Sequence, residues 1–124
     1  MPYSSQVLDH FHHPRHAGEI PGATVIAEAS NPVCGDALKF WLIVRDGIIR
    51  EVGFKAGGCV PAMACGSWLA EWLEGREVAK LPLLAAREIE RALGGLPAAS
   101  QHAAALTITA LDALVRAIRL APET

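Results

Sequence analysis

The chain has 124 residues, of which 52% are hydrophobic and 19% charged, with a formal net charge of −2. That size suits one domain over residues 1–124 with one hydrophobic core. The charge balance supplies no broad basic footprint for nucleic acid, and no apolar run reaches the length of a membrane span.

In chain order, the segment MPYSSQVLDHFHHPRH interrupts any apolar leader with histidines and an aspartate, so no export signal is read and a cytoplasmic location is expected. Ser4 caps a short helix to His12, with Val7, Leu8 and Phe11 at helical spacing and Pro14 as its stop. His10, His12, His13 and His16 straddle that stop and are expected as surface histidines, not as a metal tract. After the turn Gly18 to Gly22, TVIAEAS reads as a first strand that breaks at Asn31-Pro32. ALKFWLIVR and IIREVGFK flank Asp46-Gly47, a dipeptide that tolerates the positive φ of a tight hairpin, so the two strands pair antiparallel. Leu38, Phe40, Leu42 and Val44 form the core face of theirs, and Lys39 and Arg45 mark the other.

Gly57-Gly58 ends the third strand, and Cys59 stands where a helix opens, running from about Pro61 to Glu74 with Met63, Leu69, Trp72 and Leu73 on its apolar side. Gly75 stops it. A third helix is expected around Leu83 to Leu93 with Leu84, Ile89 and Leu93 inward, followed by the loop Gly94-Gly95-Leu96-Pro97. A last helix, capped by Ser100, carries Leu111, Leu114, Val115 and Ile118 at core spacing up to Leu120. Trp41, Trp68 and Trp72 are expected in the core or at a partner contact. The order α-β-β-β-α-α-α is that of an α+β fold, a three-stranded antiparallel sheet covered on one face by helices.

Metal-ligand chemistry gathers at the breaks. Cys34 and Asp36 follow the first strand, Cys59 follows the hairpin, and His102 opens the last helix. Pro32 biases Asn31 away from helix and Gly35 permits a tight bend, so NPVCGD can present a thiol and a carboxylate to one side; the alternative is a turn that happens to contain a cysteine. Three cysteines cannot all pair, which favours metal binding or thiol chemistry over a disulfide framework. Two thiolates, a carboxylate and an imidazole are enough for a tetrahedron around zinc or ferrous iron. At a helix N-terminus, Cys59 is expected to gain thiolate character from the free amides and the dipole.

The segments VLDHFHHPRHAG, NPVCGD, FKAGGCVPAMACGS with EWLEGR, and LGGLPAASQHA occur in that order. They resemble the landmarks of the iron–sulfur cluster scaffold family, IscU and the N-terminal part of NifU, and the resemblance runs from Tyr3 to about Ile118. It implies a scaffold that binds iron, with zinc in its place when isolated, and carries a transient [2Fe–2S] cluster. Sulfide would come from a cysteine desulfurase, and the cluster would pass to iron–sulfur acceptor proteins. By position it implies Cys34, Asp36 and Cys59 as ligands, with His102 matching the histidine before the third family cysteine. It also implies that Asp36 governs cluster release.

The chain departs from the family in two places. Ala103 stands where the third family cysteine would be, and alanine can neither ligate iron nor accept a persulfide. LPAAS replaces the family's LPPVK, with Ser100 for the lysine, so recognition by an Hsp70-type chaperone does not carry over. Cys65, six residues after Cys59, is about 9 Å further along a helix. It reads as a buried core thiol, while Pro61 and Gly66 leave open a ligand role if the first turns unwind. Three readings follow: a divergent scaffold binding metal through Cys34, Asp36, Cys59 and His102; a persulfide carrier using Cys59 or Cys34; and a zinc-stabilised docking or regulatory paralogue. The first is the reading adopted.

Overall fold

A computed structural model describes residues 3–32 and 35–120, with helices α1 (Ser5–His12), α2 (Val60–Leu73), α3 (Ala86–Ala92) and α4 (Gln101–Leu120) and strands β1 (Val25–Asn31), β2 (Asp36–Arg45) and β3 (Ile48–Gly57). The order and the α+β class are those read from the sequence. The sheet is antiparallel in the order β1-β2-β3. Asp46 and Gly47 take φ of 56° and 72°, so the β2–β3 turn uses the two residues that tolerate such angles.

Helices α2 and α4 cover one face of the sheet. Leu38, Phe40, Leu42, Val52 and Phe54 pack there against Leu69, Leu73, Leu111 and Leu114. Helix α2 lies close because Gly66 has no side chain: a Cβ there would stand 2.9 Å from the Phe54 ring and 3.0 Å from Leu38 Cδ2. A second cluster, made of helices and the loop beside them, joins Val7, Ala64, Cys65, Ile89, Leu93, Ala103 and Ala104. Burial of these two clusters, at roughly 25 cal/mol per Å² of apolar surface, is the main stabilising term.

Several details differ from the sequence reading, each for a local reason. His10 is buried rather than at the surface, its Nδ1 lying 2.8 Å from Ser67 Oγ, which also accepts the Arg15 N–H. Burial pushes its pKa down, because charging the ring there costs hydration. The α1 face toward the core is therefore Val7 and His10, and Phe11 points outward. Helix α3 begins only at Ala86, where Glu88 Oε1 reaches back to accept the Ala85 N–H, so Leu83 stays outside it. Helix α4 is entered through a 3-10 turn, Ala98–Ser100, rather than from a lone cap. Another such turn covers Val78–Lys80.

Trp41 is buried although it faces away from the helices. It pairs with Gly53, whose missing side chain leaves room for Gly18 O and Ile20 from the segment that bridges to Phe54. Lys39 Nζ sits 5.2 Å from its ring centre. Trp68 and Trp72 are stacked at 6.3 Å and packed against the core, as expected. Among the described residues, no helix is long and apolar enough to cross a membrane.

Candidate metal centre

The sheet register fixes the first contact. Asn31 pairs with Asp36 and Ala37 with Gly57, so the first residue of β2 lies beside the last of β3, where the chain turns into α2. Gly58 bridges that turn with φ of 112°, a backbone conformation open to glycine at little cost. It is also required sterically, because a Cβ on Gly58 would lie 2.0 Å from Asp36 Oδ1. Cys59 then caps α2 with extended dihedrals, and Pro61 in the first turn gives up an N–H that needs no partner there. The first turn of α4 brings His102 to the same place.

Asp36 is the hub, with only 3% of its surface exposed. Its Oδ1 accepts the Cys59 backbone N–H at 3.1 Å, which orients the carboxylate. Its Oδ2 lies 3.2 Å from Cys59 Sγ and 2.9 Å from His102 Nε2. An ionised carboxylate only accepts, so the thiol and the ring N–H both donate to that one oxygen. Sγ and Nε2 are 4.0 Å apart. One donor atom from each residue thus lies within 4.8 Å of the others.

The set fits a divalent ion. Bond lengths of 2.0–2.3 Å at tetrahedral angles require donor separations of about 3.3–3.6 Å, within a few tenths of an ångström of those present. The sulfur, imidazole and carboxylate together suit a borderline ion such as zinc or ferrous iron. To ligate through Nε2, His102 would carry its proton on Nδ1.

The electrostatics of Cys59 oppose the expectation of a ready thiolate. Its pKa is raised, first by burial and then by the Asp36 carboxylate, which holds the thiol proton and repels a thiolate. The amide of Ala62, at the helix start, acts the other way but is outweighed. A bound cation would reverse the balance by placing positive charge between sulfur and carboxylate.

Of the four residues singled out in the sequence, the structure brings Asp36, Cys59 and His102 together. Cys34 lies outside the described residues. Cys65 is fully buried in the helical cluster, and burial pushes its thiol up to about 12, as a core thiol should behave. Ala103 is fully buried in the same cluster, so the position after His102 contributes packing. In the sequence Gly58 marks only a chain break. Its role as the gap that seats a carboxylate leaves no sequence signal beyond the Gly-Gly pair itself.

Residues 2–121 match the family model of the NifU-like N terminal domain. The chain is 42% identical over 117 residues to the bifunctional protein NifU/MnmA of Rubrobacter xylanophilus, covering 93% of this chain but only 23% of that protein's length. It is 37% identical to the iron-sulfur cluster assembly scaffold protein IscU 1 of Archaeoglobus fulgidus, over 94% of this chain and 74% of that one. A crystal structure of a nitrogen-fixing NifU-like protein (N-terminal) from Brucella abortus superposes with a TM-score of 0.70 at 19% identity, over 95% of this chain and 92% of that one, a likeness of fold.

Proposed function

The chain belongs to the NifU-like N-terminal domain family, and from that premise we propose that it is a scaffold for iron–sulfur cluster assembly. The observation that carries the reading is the convergence of Asp36, Cys59 and His102 from β2, the α2 cap and α4. With Cys34, two residues before Asp36, they would hold iron as cargo, or zinc when the protein is isolated. Persulfide sulfur from a cysteine desulfurase, reduced to sulfide by an external two-electron donor, would complete a transient [2Fe–2S] unit for iron–sulfur acceptor proteins. Residues 1–124 would act as one domain, in the cytoplasm, as a carrier rather than an enzyme.

Each side chain has a distinct task in this reading. Cys59 supplies the thiolate, its proton leaving as the cation enters. His102 stands in for the thiolate that the buried Ala103 does not supply. Asp36 neutralises charge and offers a hard oxygen that exchanges more readily than sulfur. Asp36 is therefore the contact that governs release, and its loss is expected to make a bound cluster longer-lived. Because three separate elements must meet, binding free energy appears as folding free energy.

The absence of a thiolate at Ala103 favours one second reading. Cys59 could accept sulfane sulfur from a desulfurase persulfide, the donor leaving as a thiol and Cys59 becoming the persulfide. Anaerobic addition of ferrous iron and sulfide separates the two. Thiolate-to-iron absorption that is lost in Cys59→Ala supports the scaffold. No such absorption at any iron-to-sulfide ratio, together with a one-sulfur mass increase on the Cys59 peptide, supports the carrier.

A further inference from the structure

The half of α4 remote from His102 borders a groove of about 600 Å³ that the ligand site does not use. Its floor is apolar, formed by Val78, Leu81, Leu84, Leu111, Val115 and Ile118. Its rim carries two further features. Leu83, outside any helix and next to Pro82, is 98% exposed, an extreme for a large aliphatic side chain. Asp112, Arg116 and Arg119 are exposed on the α4 side, and no ion pair among the described residues involves them.

These features are complementary to one another, which singles out the occupant. A two-fold axis makes an interface from one patch used twice, so the patch must contain both a projection and a recess, and both signs of charge. Here an apolar knob stands beside an apolar hole, and an acid stands one and two helical turns before two arginines. We propose that this groove is where a second copy of the chain docks: Leu83 of each copy enters the groove of the other, and Asp112 faces the partner's Arg116 and Arg119. The net charge of −2 sets only weak repulsion against such pairing. A groove of this size buries a small interface, so a reversible dimer is expected.

The placement also separates this contact from metal binding. Val115 lies about 20 Å along α4 from His102, at 1.5 Å per residue. The dimer therefore leaves both ligand sites open, unlike a pair of chains held together by a shared ion. This inference stands apart from the scaffold reading and survives its failure.

Sedimentation of the full chain from about 1 to about 200 µM tests it, as a reversible dimer responds to concentration by mass action. The average mass should rise from monomer toward dimer. Leu83→Asp, at a position with almost no intramolecular contact, should remain monomeric with an unchanged circular dichroism spectrum. Asp112→Arg should also remain monomeric, and adding Arg116→Asp to it should restore the dimer. Chelation with EDTA should leave the mass distribution unaltered. A chain monomeric throughout the range overturns the proposal. So does a dimer that is indifferent to Leu83→Asp, or one that dissolves on chelation.

Discussion

Helix α2 carries two cysteines six residues apart, and they live in opposite chemical worlds. Cys59, at the cap, is partly exposed and faces a carboxylate and an imidazole supplied by β2 and α4. Cys65 is enclosed by apolar side chains from α1, α2, α3 and α4, with no place in the donor cluster. Both thiols are harder to ionise than usual, yet for different reasons: Cys65 by burial above all, Cys59 by burial and by the charge of Asp36. The contrast shows that thiol chemistry is set by what other elements bring to the sulfur. Only at Cys59 do they bring groups that a cation would turn from a penalty into a ligand set.

The sharpest way to break the contrast is to remove each sulfur in turn. Cys59→Ala should weaken zinc or ferrous iron binding by about 100-fold or more, since losing a direct ligand exceeds the loss of an outer-sphere partner. In a thermal melt with excess metal, the protection lost would be about 2.7 kcal/mol. Cys65→Ala should leave affinity unchanged and lower stability equally with and without metal. Calorimetric titration alongside melts of both forms checks this pair.

The neighbouring glycines sharpen it from the backbone side. Gly58→Ala should destabilise the chain by about 2 kcal/mol, from a left-handed φ forced on alanine and from displacement of the Asp36 carboxylate. Gly57→Ala meets nothing within 4 Å and should be nearly neutral, by chemical denaturation. The variant at 58 should also bind metal more weakly, because the carboxylate that organises the site has moved.

The smallest effect is a titration. Cys65 is held protonated to about 12 in the folded chain, whereas the unfolded thiol ionises near its reference value of 9.0. A pKa raised by folding contributes stability that is complete below the unfolded value and is lost as pH rises toward the folded one. The metal-free protein should therefore lose about 1.4 kcal/mol between pH 7 and pH 10 from this group. Cys65→Ala should remove that share of the alkaline loss, leaving the part due to Cys59.

The sheet was legible because its signals are local. Asp46-Gly47 dictates the hairpin, alternation from Leu38 to Val44 dictates its core face, and both hold. The four helices followed from periodicity, but their starts depended on particular hydrogen bonds, such as Glu88 to the Ala85 N–H. The burial of His10 is not legible in the sequence, because it depends on Ser67, 57 residues away, which no spacing reveals. The candidate ligand residues span nearly seventy positions, so spacing could suggest donors without showing that they meet. The resemblance supplied the grouping, and the register of Ala37 with Gly57 supplies the physical reason for part of it. The groove beside Leu83 is not legible in the sequence, since part of its wall, Leu83 and Leu84, is expected at the start of a helix that begins only at Ala86.

The central claim is that Asp36, Cys59 and His102 act on one ion. Anaerobic titration with cobalt(II), read by thiolate-to-metal charge-transfer absorption, tests it most directly. Saturation is expected at one ion per chain, with a reduced band in Cys59→Ala, an altered ligand field in Asp36→Ala and His102→Ala, and an unchanged spectrum in Cys65→Ala. A band that survives Cys59→Ala intact, or one that disappears in Cys65→Ala, would contradict it.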